Sequence, residues 1–194
     1  MRTAEIKRNT NETCIELKLN LDGDGTRSID TGIGFFDHML DLFAKHGLFD
    51  IELCAKGDIN VDEHHTIEDT GIALGEAFAA AAGDKSGISR YSTQFVPMDE
   101  AIAFAGIDFS GRPYLQYGVS NPDETVGGLN SQVFEEFFRA FAMSAKITLH
   151  IGVLYGANTH HVIEAVFKAA ARALRFALEK DPRVKGVPST KGVL

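Results

Sequence analysis

One five-residue motif occurs twice in this chain, and it constrains the fold more than any other feature. The motif is His-His-x-x-Glu, at 64–68 and again at 160–164, and it uses four of the seven histidines. Each copy opens a run of helical composition, at 69–82 and at 165–178. On a helix the first His and the Glu lie one turn apart on the same face, whereas the second His points roughly 100° away. Two such motifs predict two metal ions.

The sequence around the motifs repeats as well. Residues 11–23 align with 99–111, where both segments alternate in polarity and end in a turn. Residues 36–40 align with 134–138, each at the start of an amphipathic helix. Because each half reads as strands, helix, strand and helix, we predict an α+β fold made by tandem duplication of a unit with one β-sheet and two helices. The predicted halves are 1–88 and 89–194, packed as one compact domain.

In this alignment His38 lies opposite Glu136. If a pseudo-twofold axis relates the halves, the second imidazole of each motif crosses to the other motif. One ion then takes His64, Glu68 and His161, the other takes His160, Glu164 and His65, and His38 and Glu136 supply one further ligand each. Mixed imidazole and carboxylate ligands suit Mn²⁺, Fe²⁺, Co²⁺ or Zn²⁺ better than Mg²⁺ or Ca²⁺. An isolated His-His pair is more often a surface feature, but its duplication at equivalent positions favours a metal site.

The composition excludes several classes of protein. A net charge of −8 and a pI near 5.3 argue against a nucleic-acid groove and against binding to an anionic membrane surface. No apolar run reaches the roughly 18 residues that span a bilayer, and the N-terminus lacks the hydrophobic region of a signal peptide. Cys14 and Cys54 have no CxxC spacing and are expected to be reduced structural thiols. We therefore expect a cytoplasmic protein without nucleic-acid or membrane partners.

Three segments together predict an anion site. Arg90 follows a Gly-Ile-Ser sequence, Arg112 lies in a Ser-Gly-Arg-Pro turn, and the tail carries Ser-Thr-Lys at 189–191. Guanidinium forks match phosphate oxygens, so the three segments would make a phosphate cradle. Each one alone would more often be a solvated charge. Glu12, at the start of a strand, is a candidate general base, and the alternative is an ordinary exposed glutamate.

The chain resembles the imidazoleglycerol-phosphate dehydratase family over nearly its whole length. The resemblance rests on residues 31–40, which contain Asp37-His38, on 62–71 and 158–164, which contain the two motifs, and on 108–113 and 188–194. It implies a hydro-lyase that converts D-erythro-imidazoleglycerol phosphate to imidazoleacetol phosphate in histidine biosynthesis, with two Mn²⁺ ions per active site. It also implies two halves like the second domain of ribosomal protein S5, and a 24-subunit shell with metals at subunit contacts.

The same resemblance implies roles for individual residues. The metal ligands would be His38, His64, His65, Glu68, His160, His161 and Glu164. The substrate would contact Glu12, His38, His46, His64, His65, Arg90, Arg112, His160, Ser189, Thr190 and Lys191. The catalytic residues would be Glu12, His46, Glu68 and Glu164. Many family members carry a His ligand where this chain has Glu136, and we expect the carboxylate to take its place at one ion.

The implied mechanism uses the imidazole ring of the substrate. Bound as imidazolate between two ions, the ring can expel the adjacent hydroxyl to give a diazafulvene-type intermediate, from which Glu12 removes the C2 proton. Two other classes of protein could use the same ligands. A metal-storage shell would need no phosphate cradle, and a dinuclear metallohydrolase would release inorganic phosphate from monoesters.

Overall fold

The computed structural model describes residues 1–120 and 123–194. Each half of the chain forms one four-stranded sheet and two helices. The first half contains β1 (Thr3–Asn9), β2 (Thr13–Asn20), β3 (Arg27–Asp30), α1 (Gly34–Gly47), β4 (Asp50–Gly57) and α2 (His64–Ala82). The second contains β5 (Tyr91–Met98), β6 (Ala101–Asp108), β7 (Tyr114–Gly118), the short pair β8 (Thr125–Val126) and β9 (Leu129–Asn130), α3 (Val133–Ala145), β10 (Thr148–Tyr155) and α4 (Thr159–Leu178).

The two sheets have the same topology. The strand orders are β1-β2-β4-β3 and β5-β6-β10-β7. In each sheet the first three strands are antiparallel, and the edge strand, β3 or β7, runs parallel to its neighbour. The short pair β8-β9 is the one described addition that the first half lacks. The predicted α+β fold with a duplicated sheet and two-helix unit is therefore confirmed.

The four helices lie between the two sheets. In the first half α2 packs on β1 and β2, and in the second α4 packs on β5 and β6. The halves meet where α2 packs against α3 and where α1 packs against α4. Alternation along β2 places Ile15, Leu17 and Leu19 in the core, as a strand with one covered face requires. Edge-to-face phenylalanines such as Phe78 and Phe141 join the two halves.

Each long helix begins at its histidine motif. The side chain of Asn158 precedes α4 and accepts hydrogen bonds from the backbone N–H groups of His160 and His161, at 2.9 and 3.4 Å. In the first half the Asp62 carboxylate accepts the N–H of His64 at 2.9 Å. Both are capping interactions that satisfy free N–H groups of the first turn. The two motifs therefore lie at the N-terminal ends of α2 and α4, as predicted. In the described residues, no helix combines the length and hydropathy that a membrane crossing requires.

Two glycines let α2 and α3 approach closely. A Cβ atom at Gly71 would lie 2.6 Å from the Phe137 carbonyl oxygen. At Gly75 it would lie 2.6 Å from the Phe141 carbonyl oxygen and 2.9 Å from the Ala145 nitrogen. These neighbours are backbone atoms, so they can make room for a side chain only if the two helices move apart. The contact between the halves therefore depends on the absence of side chains at these two positions.

Replacing Gly75 by Val tests this contact. We expect Gly75→Val to lower the free energy of unfolding by about 2–3 kcal/mol, because the added atoms overpack a helix interface that lacks room even for a methyl group. Gly34→Ala is the matched control, since a Cβ there meets no atom within 4 Å. Urea denaturation of both variants at equal protein concentration would measure the difference. Equal midpoints for Gly75→Val and the parent would show that the interface adjusts freely.

Candidate functional site

Three potential metal ligands converge where α1 meets α4. Nε2 of His38 lies 3.5 Å and Nε2 of His160 lies 3.3 Å from Oε2 of Glu164. The three donor atoms lie within 4.8 Å of one another, and among the described residues this is the one such group of three or more His, Cys, Asp or Glu side chains. We call it the α1–α4 cluster. Ligand atoms around one transition-metal ion lie roughly 3 Å apart, so these residues fit an ion with small adjustments.

Lys168 sets the charge of the α1–α4 cluster. Its Nζ donates a hydrogen bond to Oε1 of Glu164 at 2.5 Å, while the other carboxylate oxygen faces the two imidazoles. Burial alone would raise the pKa of Glu164, but the hydrogen bond and positive charge of Lys168 outweigh it and lower this pKa. Glu164 is therefore ionised at neutral pH, as a metal ligand must be.

At the equivalent position between α2 and α3, fewer potential metal ligands come together. Nε2 of His64 lies 3.6 Å from Oε2 of Glu68, and we call these two residues the α2 pair. Glu136, which occupies the position of His38 in the repeat, does not converge with this pair to within 4.8 Å. Its carboxylate instead faces Nε of Arg139 at 3.5 Å on the same helix. The two halves thus present one group of three ligands and one pair.

The second imidazole of each motif faces a hairpin turn of its own sheet. Nδ1 of His65 lies 3.1 and 3.2 Å from the two carboxylate oxygens of Asp58, and its Nε2 lies 3.9 Å from Oε1 of Glu12. Nδ1 of His161 lies 2.7 Å from Oε2 of Glu100. These contacts raise the pKa of both imidazoles, chiefly through the hydrogen bonds that the imidazoles donate to Asp58 and Glu100. They also lower the pKa of Glu100 to about 2.

Within one chain the structure does not bring His65 or His161 to the other motif, so the predicted exchange of these imidazoles stays a prediction. His65 lies with Asp58 and Glu12, away from His160 and Glu164, and His161 lies with Glu100, away from His64 and Glu68. The reason is the rotation of roughly 100° between neighbouring helical residues. It turns the second imidazole toward the sheet that covers its own helix, while the first imidazole faces the other half.

Glu12 lies in the turn between β1 and β2. Its side chain is 54% exposed, and its Oε1 atom lies 3.9 Å from Nε2 of His65. The turn is tied to α2 by a buried network in which Arg8 and the hydroxyl of Thr13 both donate to the carboxylate of Asp69. Thr10 accepts the backbone N–H of Glu12 at 3.1 Å. A candidate base is thus held on a fixed turn beside a candidate metal ligand.

His46 lies at the C-terminal end of α1. It is two turns beyond His38 and faces α4, where the charges of Lys168 and Arg172 act on it. Its pKa is lowered, first by burial and then by these two cations. His46 is therefore a neutral imidazole at neutral pH, and it can donate or accept a hydrogen bond.

The segments of the predicted phosphate cradle do come together. A cavity of about 690 Å³ is lined by residues from the start of β5, the turn after β6 and the C-terminal tail, namely Arg90, Tyr91, Arg112, Pro188, Ser189, Thr190, Lys191 and Val193. We call it the tail cavity. The oxygen of Ser189 accepts the backbone N–H of Lys191 at 3.2 Å, which leaves the Ser189 hydroxyl hydrogen available for a ligand.

Arg90 has a second role in the tail cavity. Its side chain is mostly buried, and Nε and Nη2 donate to the carboxylate of Asp108 at 2.7 and 3.2 Å. Nη1 donates to the carbonyl oxygen of Pro188 at 2.8 Å, so Arg90 fastens the tail to β6. The side chain of Arg112 is 67% exposed. Its one contact with the same carboxylate is long, with Nη2 at 3.5 Å from Oδ2 of Asp108. Arg112 and Lys191 are therefore the cations with the most donors free for an anion.

The tail cavity and the second histidine motif lie at opposite ends of β5 and α4. Along β5, Arg90 precedes Tyr91 at one end, and Glu100, the partner of His161, follows Met98 at the other. Seven residue steps of a strand span about 23 Å. Along α4, His160 lies at the start, whereas Ala177, whose carbonyl accepts the N–H of Arg90, lies near the end, about 25 Å away. One small ligand cannot reach both places within one chain.

Sequence reasoning missed several residues of these groups. Glu100 could have been found, because the alignment of 11–23 with 99–111 places it opposite Glu12. Lys168 follows Glu164 by four residues, a spacing that predicts an ion pair on a helix. Asp58 and Asp108 carry no such signal, because the loop after β4 brings Asp58 to His65 and strand pairing brings Asp108 to Arg90.

Comparison with known proteins places this architecture in one family. A family model described as imidazoleglycerol-phosphate dehydratase matches residues 31–174. Proteins of that name from Caldanaerobacter subterraneus subsp. tengcongensis and Gluconacetobacter diazotrophicus are 59% and 58% identical over 194 residues, which is all of this chain and 100% and 98% of theirs.

Solved structures agree with the sequence comparison. The imidazoleglycerol-phosphate dehydratase of Staphylococcus aureus is 39% identical with a TM-score of 0.84, over 92% of this chain and 99% of its own. The Pyrococcus furiosus enzyme is 35% identical with a TM-score of 0.84, over 97% and 100% of the two chains. This chain therefore belongs to the imidazoleglycerol-phosphate dehydratase family and is a hydro-lyase.

Proposed function

We propose that this chain converts D-erythro-imidazoleglycerol phosphate to imidazoleacetol phosphate with loss of water, as a step of histidine biosynthesis, with two Mn²⁺ ions per active site. The observation that carries the proposal is the α1–α4 cluster, where two imidazoles and one carboxylate lie at ligand spacing. Such mixed nitrogen and oxygen donors suit Mn²⁺ among the available divalent ions. The proposed substrate is the one in the name of the family to which the chain belongs.

The geometry supports an active site shared between copies of the chain. The tail cavity lies roughly 25 Å from the second histidine motif, whereas the imidazole and the phosphate of the substrate are joined by only three carbons. The Nε2 atoms of His65 and His161 also face away from the other motif of their own chain. We therefore propose that the tail cavity and the metal ligands of one site come from different subunits, in the 24-subunit shell that the resemblance implies.

The roles of the residues follow from their positions. When bound, Mn²⁺ would supply positive charge to the ring nitrogens of the substrate, which makes the ring a better electron acceptor. His38, His160 and Glu164 would hold one ion and His64 and Glu68 the other, with His65, His161 and Glu136 as further ligands. Arg112, Lys191 and the Ser189 hydroxyl would bind the phosphate, while Arg90 holds the tail in place. Binding energy at the phosphate then orients the reacting carbons.

Glu12 would act as the general base. As the hydroxyl next to the ring leaves, the C2–H bond breaks, and its electrons form the C2–C3 double bond of an enol. The proton passes to the carboxylate of Glu12, which the turn between β1 and β2 holds in an exposed position. The neutral imidazole of His46 is available to bind the substrate by a hydrogen bond. The enol then relaxes to the ketone of the product.

Metal analysis and an elimination assay on the same sample test the proposal. Protein loaded with Mn²⁺ under anaerobic conditions and then desalted should retain two ions per chain and form the ketone from imidazoleglycerol phosphate. Removal of the metal by a chelator should abolish the reaction, and Mn²⁺ should restore it. Retention of metal without elimination would favour a storage shell, and release of inorganic phosphate would favour a hydrolase; either result would overturn the proposal.

We also propose a cytoplasmic location. Cys14 and Cys54 are both free thiols at exposed positions on neighbouring strands. Exposed thiols persist in a reducing compartment, which supports the cytoplasm.

A further inference from the structure

A carboxylate holds the second imidazole of each motif, and it does so at the same ring atom in both halves. Asp58 contacts Nδ1 of His65 at 3.1 Å, and Glu100 contacts Nδ1 of His161 at 2.7 Å. In each case a second acidic side chain lies 3.9 Å from Nε2, which is beyond hydrogen-bonding distance. Neither Asp58 nor Glu100 is among the metal ligands or the substrate contacts described above.

These contacts fix the tautomer of both imidazoles. An ionised carboxylate can only accept hydrogen bonds, so the Nδ1 atom next to it carries the proton. In a neutral ring Nε2 then has a free lone pair, and the carboxylate also fixes the orientation of the ring. A metal-binding histidine needs this arrangement, because the group that binds its other nitrogen decides which nitrogen faces the ion.

The two halves reach this arrangement by different routes. Asp58 is the first residue after β4, and the equivalent residue after β10 is Gly156. A Cβ atom at Gly156 would lie 2.5 Å from a methyl group of Val162 and 3.0 Å from the Cβ of Ala101, so no carboxylate fits there. In the second half the acid comes instead from Glu100, in the turn between β5 and β6.

As a result, Glu100 and its counterpart Glu12 differ in their hydrogen bonds. Glu100 is fully engaged, because it also accepts the backbone N–H groups of Ala157 and Asn158 at 3.2 and 2.8 Å. Glu12 occupies the same position before β2, but Asp58 already holds His65. Glu12 is therefore left without a strong hydrogen bond to an imidazole, and its carboxylate can exchange a proton with a ligand.

We propose that Asp58 and Glu100 are positioning residues that orient His65 and His161 as Nε2 ligands, and that Asp58 also leaves Glu12 free to act as the base. The proposal rests on the proposed function for the presence of metal at these imidazoles. It assigns different tasks to the two equivalent glutamates, with proton transfer by Glu12 and support of a ligand by Glu100.

Binding of Mn²⁺ to Asp58→Ala and Glu100→Gln tests the proposal. The side chain of Asp58 contacts only His65 in the hydrogen bonds of the described residues, so Asp58→Ala removes one interaction. Glu100→Gln keeps an acceptor for the two backbone N–H groups but loses the charge. Titration of the assembled protein, with free Mn²⁺ followed by electron paramagnetic resonance, should show 10- to 100-fold weaker binding of one of the two ions per chain in each variant. Saturating Mn²⁺ should restore kcat to near the parent value in Glu100→Gln but not in Asp58→Ala, where His65 can pair with Glu12 and the base is no longer free.

Glu52→Gln, an exposed strand residue paired with Lys18, is the matched control and should bind both ions like the parent. The melting temperature of the metal-free variants should also match that of the metal-free parent, because the effect acts through the metal. Unchanged Mn²⁺ affinity in both variants would overturn this inference while leaving the proposed function intact. A parent protein that binds no Mn²⁺ would overturn both.

Discussion

Glu12→Gln is expected to lower kcat by about 10²- to 10⁴-fold while the protein retains its full complement of Mn²⁺. The amide has nearly the same shape as the carboxylate but cannot accept the C2 proton. No structural contact of the Glu12 side chain is lost, because the Thr10 hydroxyl holds the turn through the backbone N–H of residue 12. KM should change little, since the residues proposed to bind the phosphate line the tail cavity and not this turn.

The matched control is Glu16→Gln, one exposed acid farther along the same hairpin. Glu16 pairs with Lys7 on the neighbouring strand and faces no histidine. Steady-state kinetics at saturating Mn²⁺, with metal content measured on the same samples, would separate a catalytic role from a metal-binding one. If Glu12→Gln lost metal in proportion to activity, Glu12 would be a ligand. If turnover were unchanged, the base would have to be sought elsewhere.

Much of the fold was predictable from the repeat. Alternating polarity at 11–23 and 99–111 correctly marked the hairpins that contain β2 and β6, and the motifs correctly marked the starts of α2 and α4. These features are local, because capping and periodicity depend on residues within a few positions. The sequence also predicted that Arg90, Arg112 and the tail lie together, because their cationic and hydroxyl side chains suit a phosphate.

The partners of these side chains were not predictable in the same way. The repeat did not predict where His65 and His161 point within one chain, because Asp58 and Glu100 hold these imidazoles. Arg90 was predicted to bind phosphate, but pairing of β5 with β6 places Asp108 beside it and occupies two of its nitrogens. In both cases the fold brings an acid near a basic group, through a turn or loop for Glu100 and Asp58 and through strand pairing for Asp108, and a sequence motif does not reveal this.

The duplicated halves differ at the two proposed metal positions. Glu164 is supported by Lys168, whereas Ile72 occupies the corresponding position one turn after Glu68. His38 points into its cluster, whereas its counterpart Glu136 is held by Arg139. The α1–α4 cluster is thus rich in nitrogen and has a cation beside its carboxylate. The α2 pair would gain a second carboxylate only if Glu136 left Arg139. The first position is therefore better prepared for an ion.

His160→Ala is expected to have the largest effect. It removes one of the three ligands of the α1–α4 cluster, and losing a ligand should weaken binding of that ion by more than the 10- to 100-fold that follows loss of a supporting residue. The protein should then retain one Mn²⁺ per chain instead of two. Dehydration should fall below detection, because the ion that this cluster would hold would supply part of the positive charge that makes the ring an electron acceptor.

His150→Ala is the matched histidine control. His150 lies on β10 with its side chain exposed, beside the ring of Tyr114 and remote from both motifs. We expect it to keep both ions and full activity. Because the metal ligands are proposed to come from neighbouring subunits, His160→Ala should also loosen the assembly in a way that added Mn²⁺ does not repair. Sedimentation of both variants with and without Mn²⁺ would measure this, and identical particle sizes would mean that assembly does not depend on this ion.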